Sequence, residues 1–556
     1  MTGAATRTST PTVTHTAGRA QGSVTSSGRS SEGGLLRNNV TVAAGTALSR
    51  VTGLLRVGVF AAVVGQTALS DAYNLANNSP NAVYELLLGG VLSASLVPLF
   101  AKQAEDGDDD ATSAVMTVAM IALSALTLLA VIGAPIVVRL FSLNVSDSVD
   151  AAQFRSVGTA LARIFLIQIF FYGISALANS LLQARRRYFA AAWAPVLSNL
   201  VIIGSLLLVP RAVHGRQPQL DEVLTNSALR WTLGLGATVG IGVMAVAVVP
   251  ALRAADIHLQ FRPQFKHPAV RSLIKLSTWT LGYVVANQVA IIVVQNLAEP
   301  GSTIPDAYAK AYIFFVLPHG LLAMSIATTF TPEMARAVKQ RDKAAFVDRT
   351  SLGVRLVALL TVPAGFAMFV LRRPLIALAL QHRNFGDLAT INTSRALAGF
   401  SLGLVGFSVY LFVLRGFYAH GDARSPFVIN VFENLINIGL AVAMFHRYGS
   451  LGLGLAFAIA YLVSALWALQ VMSWKVPGFP LRETLVSVGR MVLAGLVMAE
   501  VMWLVARVVG SNEGLGAVTR AAVAGLVGLG AYGALLVMLR VPEVEQLRSR
   551  LSRRRT

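Results

Sequence analysis

The sequence predicts an all-α polytopic membrane protein of about fourteen transmembrane helices, arranged as two parallel six-helix lobes plus two C-terminal helices. Three observations predict it. The 556 residues are 55% hydrophobic and only 13% charged, about half the charged fraction of a soluble chain. The apolar residues fall in blocks of roughly 20, long enough to cross a hydrocarbon core of about 30 Å. Short matches between the two halves share one offset of about 235 residues, so half of the architecture repeats the other half.

Spans 1 to 14 fall at about 40–64, 75–100, 113–140, 157–182, 190–210, 229–252, 272–297, 307–330, 352–371, 394–418, 427–446, 451–474, 484–508 and 518–540. Residues 1–38 are rich in Ser, Thr and Gly, lack an apolar run, and read as a disordered tail. The first apolar block is too long for the core of a cleavable signal, and more spans follow it. Lys and Arg accumulate in cytoplasmic loops, so their positions set the orientation. Arg185-Arg186-Arg187 follows span 4, and Arg253, Arg262, Lys266 and Arg271 follow span 6. Arg336, Lys339, Arg341, Lys343 and Arg349 follow span 8, and Arg548, Arg550, Arg553, Arg554 and Arg555 lie in the C-terminal tail. The loop Gln66 to Ser70 after span 1 has none. Both termini are therefore expected in the cytoplasm. Arg211 and Arg216 after span 5, and Arg372, Arg373 and Arg383 after span 9, run against the bias. With the extra apolar stretch Leu375–Leu380, the link between spans 9 and 10 is the least regular part of the pattern.

The repeat sets the domain organisation. Asp71-Ala72-Tyr73 with Ala76 matches Asp306-Ala307-Tyr308 with Ala311. Pro98 matches Pro332, and Asn199 to Gly204 matches Asn434 to Gly439. The offset covers six spans. Six is even, so both copies have one orientation, an axis along the membrane normal relates them, and a cavity is expected between them. The expected units are a cytoplasmic tail (1–38), an N-terminal lobe (39–252), a C-terminal lobe (253–476), spans 13 and 14 (477–540) and a basic cytoplasmic tail (541–556).

Several function classes drop out. The net charge of +20 would suggest nucleic acid in a soluble chain, but most basic residues sit in short loops, where they set topology and meet anionic lipid headgroups. The absence of cysteine excludes disulfides, thiol catalysis and Cys-based metal sites. Neither a P-loop nor a His-Glu-x-x-His motif is present. No expected outer loop carries the clustered carboxylates that a membrane glycosyltransferase needs. The expectation is a transporter, not an enzyme, with no cofactor and no metal site. The coupling ion, if any, is not legible.

Charges within the spans point to the cargo. Arg50 and Arg56 lie inside span 1, where a central Arg costs about 2.5–3.5 kcal/mol. They stand six residues apart, about 9 Å of rise and about 120° of rotation, so both can face a wide wet cavity. The matching stretch of the second half, Trp279–Val294, has no charge, which marks the first lobe as an anion site. The alternative for Arg50 is snorkelling to the interface. Asp71, at the outer start of span 2, reads as a helix cap or as half of a salt bridge that opens and closes. Glu85 is expected to pair with Arg50 or Arg56. Arg163 and Lys310 are further candidate cavity charges, with an interfacial position as the alternative for each. Gly53, Gly89, Gly90, Pro80 and Pro318 are hinge candidates, against close packing alone.

The run Ser49-Arg50-Val51-Thr52-Gly53-Leu54-Leu55-Arg56, then Asp71-Ala72-Tyr73, Pro80-Asn81, Gly90, Ser93 and Val97-Pro98, resembles the start of the MurJ (MviN) family. These are lipid II flippases of the multidrug/oligosaccharidyl-lipid/polysaccharide exporter superfamily. Arg415-Gly416-Phe417-Tyr418-Ala419 with Asp422-Ala423-Arg424-Ser425-Pro426 is similar to a second family segment. The resemblance runs from about residue 38 to 542. It implies two lobes forming a V, with spans 13 and 14 lining a groove for a lipid tail. It also implies movement of lipid II, the undecaprenyl-pyrophosphate-linked peptidoglycan precursor, from the inner to the outer leaflet of the bacterial cytoplasmic membrane. Arg50 and Arg56 would hold the pyrophosphate, and Asp71 would mark the outer gate. Lipid II, membrane lipids and cell-wall synthesis proteins are the implied partners. The sequence departs from the family pattern in span 2, where Tyr84-Glu85 replaces an Arg pair and Gly89 an acid. In span 8, Ile313 stands where an Arg is expected, with Lys310 one turn away as a candidate replacement. The rival cargoes on this fold are another polyprenyl-linked glycan or a small drug.

Overall fold

The computed structural model describes residues 27–85, 90–185, 187–257, 259–265 and 278–545, and these residues are mostly helical, with no strand among them. Eleven helices are long and apolar enough to cross a membrane, or twelve when the pair Asp387–Leu402 and Leu404–Ala419, bent by 49° at Gly403, is taken as one span. Two further segments fall where spans 2 and 7 are expected: Ala68–Tyr84 with Gly90–Asp106, and Thr278–Leu297. The arrangement is consistent with fourteen.

Several helix ends lie beyond the expected boundaries, among them those of spans 1 and 9. The first helix runs Ser27–Val64 and so begins before the expected tail boundary at residue 38; residues 1–26 lie outside the described set. Adding a turn to an existing helix gains one hydrogen bond per residue fixed, so a span of this length extends cheaply at its end. Span 9 is one helix, Lys343–Leu380, which absorbs the stretch Leu375–Leu380; Ile376, Ala377 and Leu380 are buried in it. At about 1.5 Å per residue such a helix outruns the bilayer, so it carries Pro363 and Pro374 inside and charged residues at its start.

Buried side chains segregate by lobe. One core runs from Phe60 to Ala237, and a second from Ala323 to Val541 includes Met491, Met498 and Tyr532 of spans 13 and 14, which pack against span 9. Span 1 bridges the lobes: Val57 and Ala61 sit in a cluster with Phe315, Phe400 and Phe457 of the second. Apolar burial drives little association in lipid, so close helix contact depends on small residues. Gly399 and Gly454 show this, since a Cβ on Gly399 would lie 2.6 Å from the Gly454 carbonyl carbon.

The repeat is visible in the bonding. Asn199 Nδ2 of span 5 donates to Thr52 Oγ1 of span 1 at 3.1 Å, and Asn434 Nδ2 of span 11 donates to Asn287 Oδ1 of span 7 at 3.0 Å. Asn434 and Asn287 are the residues that the sequence offset assigns to Asn199 and Thr52. Loop contacts respect the expected sidedness. On the expected outer face, Gln217 reaches the Val64 carbonyl, Asn384 the Val63 carbonyl, and Ser146 N–H the Pro300 carbonyl. On the other face, Arg185 and Arg262 pair with Asp109 and Asp110.

Candidate functional site

The lobes enclose a cavity of about 550 Å³, within the range of pre-formed ligand sites. Span 2 contributes Asn74, Asn77, Asn78 and Asn81, a spacing that aligns them on one helix face. Arg56 enters from span 1, half-buried, with Tyr73 and Tyr172 as electrostatic neighbours. Among the described residues it meets no carboxylate within ion-pair distance. An unpaired guanidinium in a chamber rich in side-chain amides can take a phosphate oxygen pair bidentately while the amides bond hydroxyls. Arg50 does not line this cavity. It is exposed, about one and two-thirds turns earlier on span 1, with its guanidinium against Gly320.

Asp71 lies at the expected outer start of span 2, and it is held by a different means from the one its charge suggests. It is fully buried and makes no salt bridge among the described residues, nor does it cap its own helix, which Thr67 and Ser70 cap. Its carboxylate accepts from the backbone N–H groups of Gly301 (2.9 Å), Thr303 (2.8 Å) and Asp306 (2.9 Å). Thr303 and Asp306 are orphan donors at the start of the span 8 helix, Ile304–Pro318, which carries a partial positive charge there, and Gly301 lies in the loop just before it. A side chain of one lobe thus caps a helix of the other. The two aspartates matched by the repeat meet in this latch, and Asn74 Nδ2 adds a bond to Asp306 Oδ1 at 2.7 Å.

The remaining candidates divide. Lys310 lines the cavity but is spoken for: it is buried, paired with Asp306 one turn earlier, and lies over the rings of Phe60 and Phe385 at 5.3 and 5.6 Å. Replacing Lys310 by Ala should leave Asp306 buried and unpaired, which costs about 3–5 kcal/mol. A lowered thermal unfolding temperature in detergent would register this, and adding Asp306→Asn should restore most of it. Glu85 lines the cavity without pairing to Arg50 or Arg56. It sits just past the end of the Ala68–Tyr84 helix, facing span 7, where Gln288 Nε2 donates to it at 3.2 Å. Arg163 is exposed and lines no part of the cavity, because its neighbours Leu161, Ala162, Ile164 and Phe165 hold that helix's buried face in the lobe core. Gly53 lies inside an unbroken helix, and Pro80 inside Ala68–Tyr84. Gly90 begins the second half of span 2, and Gly89 lies outside the described residues. Pro318 does end a helix: a π-turn, His319–Ala323, separates Ile304–Pro318 from Met324–Lys339.

Residues not singled out beforehand complete the walls. Glu433 of span 11 is buried beside the cavity, and among the described residues neither carboxyl oxygen has a hydrogen-bond partner. An uncompensated buried carboxyl opposes folding, so Glu433→Gln should raise or preserve thermal stability; a drop of several degrees would mean that the carboxyl serves the fold. The spacing of the span 2 asparagines was the signal available for that wall. Glu433 gave none, since a lone acid in an apolar run does not reveal what surrounds it.

A family model described as lipid II flippase MurJ matches residues 60–520. A probable lipid II flippase MurJ of Rhizobium meliloti (strain 1021) is 28% identical over 474 residues, covering 84% of this chain and 86% of that one. The lipid II flippase MurJ of Burkholderia cenocepacia is 29% identical over 410 residues, covering 71% and 76%. Among solved structures, a lipid II flippase MurJ in an inward closed conformation superposes with a TM-score of 0.72 at 22% identity, covering 90% of this chain and 99% of that one. An inward-facing multidrug resistance transporter of the MATE family gives 0.64 at 13% identity, covering 77% and 95%.

Proposed function

The chain belongs to the lipid II flippase MurJ family, and from that premise we propose that it moves lipid II from the inner to the outer leaflet of the cytoplasmic membrane by alternating access. The observation that carries the reading is Arg56: a guanidinium without a carboxylate partner among the described residues, in a polar cavity between the lobes, below the Asp71 latch. The pyrophosphate binds there, and the asparagine face of span 2 bonds the sugar and peptide hydroxyls and amides. The prenyl tail stays in lipid beside spans 13 and 14, whose outward faces carry Leu493, Leu496, Leu504 and Leu526. The protein lowers the cost of taking polar groups across hydrocarbon.

Both termini lie in the cytoplasm in this reading, with the latch at the outer leaflet. The membrane potential supplies about 2.3 kcal/mol per charge per 100 mV, enough to bias a cycle that carries an anion outward. Glu85 and Glu433 give the cavity an acidic side that an exporter of cationic drugs would also show. Family membership decides between these cargoes. Depletion of the protein should trap lipid II in the inner leaflet, and a wild-type copy should restore its outer exposure. Unchanged exposure, with no second flippase active, would reject this cargo.

A further inference from the structure

The cavity between the lobes has two poles of opposite charge. Arg56 supplies the cationic one, beside Tyr73 of span 2. Glu85 lies twelve residues beyond Tyr73 on the same span, about 18 Å of helix rise, and supplies the acidic one. Glu433 of span 11 lines the cavity from the second lobe, and both carboxyl groups act electrostatically on the Tyr312 hydroxyl. Among the described residues, neither acid has a cation within ion-pair distance. Lys310, which also lines the cavity, is held by Asp306. The wall around Glu433 is short of donors. Glu433 is 1% exposed and Asn437 7%, and among the described residues both Glu433 carboxyl oxygens and Asn437 Oδ1 lack hydrogen-bond partners. All three orphans are acceptors. A buried carboxylate left unpaired is costly, so this pole calls for a ligand that brings both donors and positive charge. A primary ammonium has three N–H donors and no acceptor. Tyr308, Tyr312 and Tyr461 line the same cavity, and ring faces attract an ammonium as carboxylates do.

We propose that Glu85 and Glu433 bind a primary amine on the peptide of the cargo, and so select a headgroup that is anionic at one end and cationic at the other. The proposal rests on the flippase reading and deepens it by naming a feature of the cargo that the cavity reads. The peptide is joined to its sugar through its N-terminus, so the amine is that of a diamino-acid side chain. A sugar and a few extended residues, at about 3.5 Å each, span the gap between the poles. Span 2 runs inward from the latch, so the peptide lies on the expected cytoplasmic side of Arg56. A peptide without the amine leaves both acids uncompensated, and that cost discriminates against it.

The test uses the full-length protein purified in detergent and calorimetric titration with a short-chain, water-soluble lipid II whose diamino-acid amine is either free or acetylated. The wild type should bind the free-amine form about tenfold tighter or better, as expected of one charge-assisted bond. Glu85→Gln combined with Glu433→Gln should weaken the free-amine form by about that factor and leave the acetylated form unchanged, so that the preference disappears. Arg56→Ala should weaken both forms equally and keep the preference. Thermal unfolding without ligand checks each variant. If the double variant does not fold, Glu85→Gln alone and the two forms on the wild type carry the comparison. Equal wild-type affinity for the two forms, with both lost in Arg56→Ala, would overturn the amine pole and leave the flippase reading standing. A preference that survives in the double variant would take the pole away from these two acids. A preference seen only in sodium, and not in choline at equal ionic strength, would give the acids to a metal ion and overturn the proposal. Binding of neither form would reject the cargo and the pole together.

Discussion

Arg56→Ala is expected to lower lipid II flipping in proteoliposomes by about two to four orders of magnitude. A guanidinium forms two parallel bonds to a diphosphate, and each charge-assisted bond is worth about 1.5–3 kcal/mol. The loss should approach the full value. Arg56 is half-buried in the cavity, and the other cation lining it, Lys310, is committed to Asp306. Arg56→Lys should retain an intermediate rate, since a compact ammonium keeps the attraction without the fork. Arg163→Ala is the internal control and should flip at the wild-type rate, because Arg163 lies outside the cavity. Fluorescent lipid II with a membrane-impermeant quencher reads all three. A wild-type rate in Arg56→Ala, with reconstitution verified, would remove the anion role from span 1.

What was legible beforehand follows the physics of each feature. The spans were legible because lipid enforces long apolar runs, while loop charge gives an expected sidedness. The duplication could be read from matched triplets, and its consequence, the same asparagine bond in each lobe, needed the fold. Intramembrane arginines announce themselves by their cost, yet sequence could not say where each would point. Arg56 turned to the cavity, Arg50 to the span 8 turn, and Arg163 away from both. Lys310 read as a free cation because its partner, Asp306, had been noted only as a mark of the repeat. The pairing of Glu85 was misjudged for a related reason. Charge complementarity suggested an arginine, but the helix end that carries Glu85 faces Gln288. Arg415 stands in the sequence only within a family-like segment, and the fold brings it to Met324, one turn from the Gly320 that Arg50 approaches. Breaks within spans were the least legible. Pro318 was foreseen, whereas the 49° bend at Gly403 has no proline to announce it.

The latch was the furthest from expectation, and its loss should have a large effect. Asp71→Ala deletes three hydrogen bonds from backbone amides to a buried carboxylate and leaves those donors unsatisfied. At about 1.5–3 kcal/mol per charged bond, even partial recovery by water leaves 2–3 kcal/mol, a shift of about 30- to 150-fold toward the outward-open state. Asp71→Asn should act in the same direction, because its amide nitrogen presents a donor where an N–H needs an acceptor. The chain has no cysteine, so a single cysteine at Asn77 or Asn78 can be labelled without background. A membrane-impermeant maleimide added outside should label it slowly in the parent and much faster with Asp71→Ala. Flipping should fall at the same time, since a carrier held open outside rarely returns to load. The alternative is that Asp71 merely stabilises the fold. It predicts a lower unfolding temperature with outside labelling unchanged, and that result would take the gate away from Asp71.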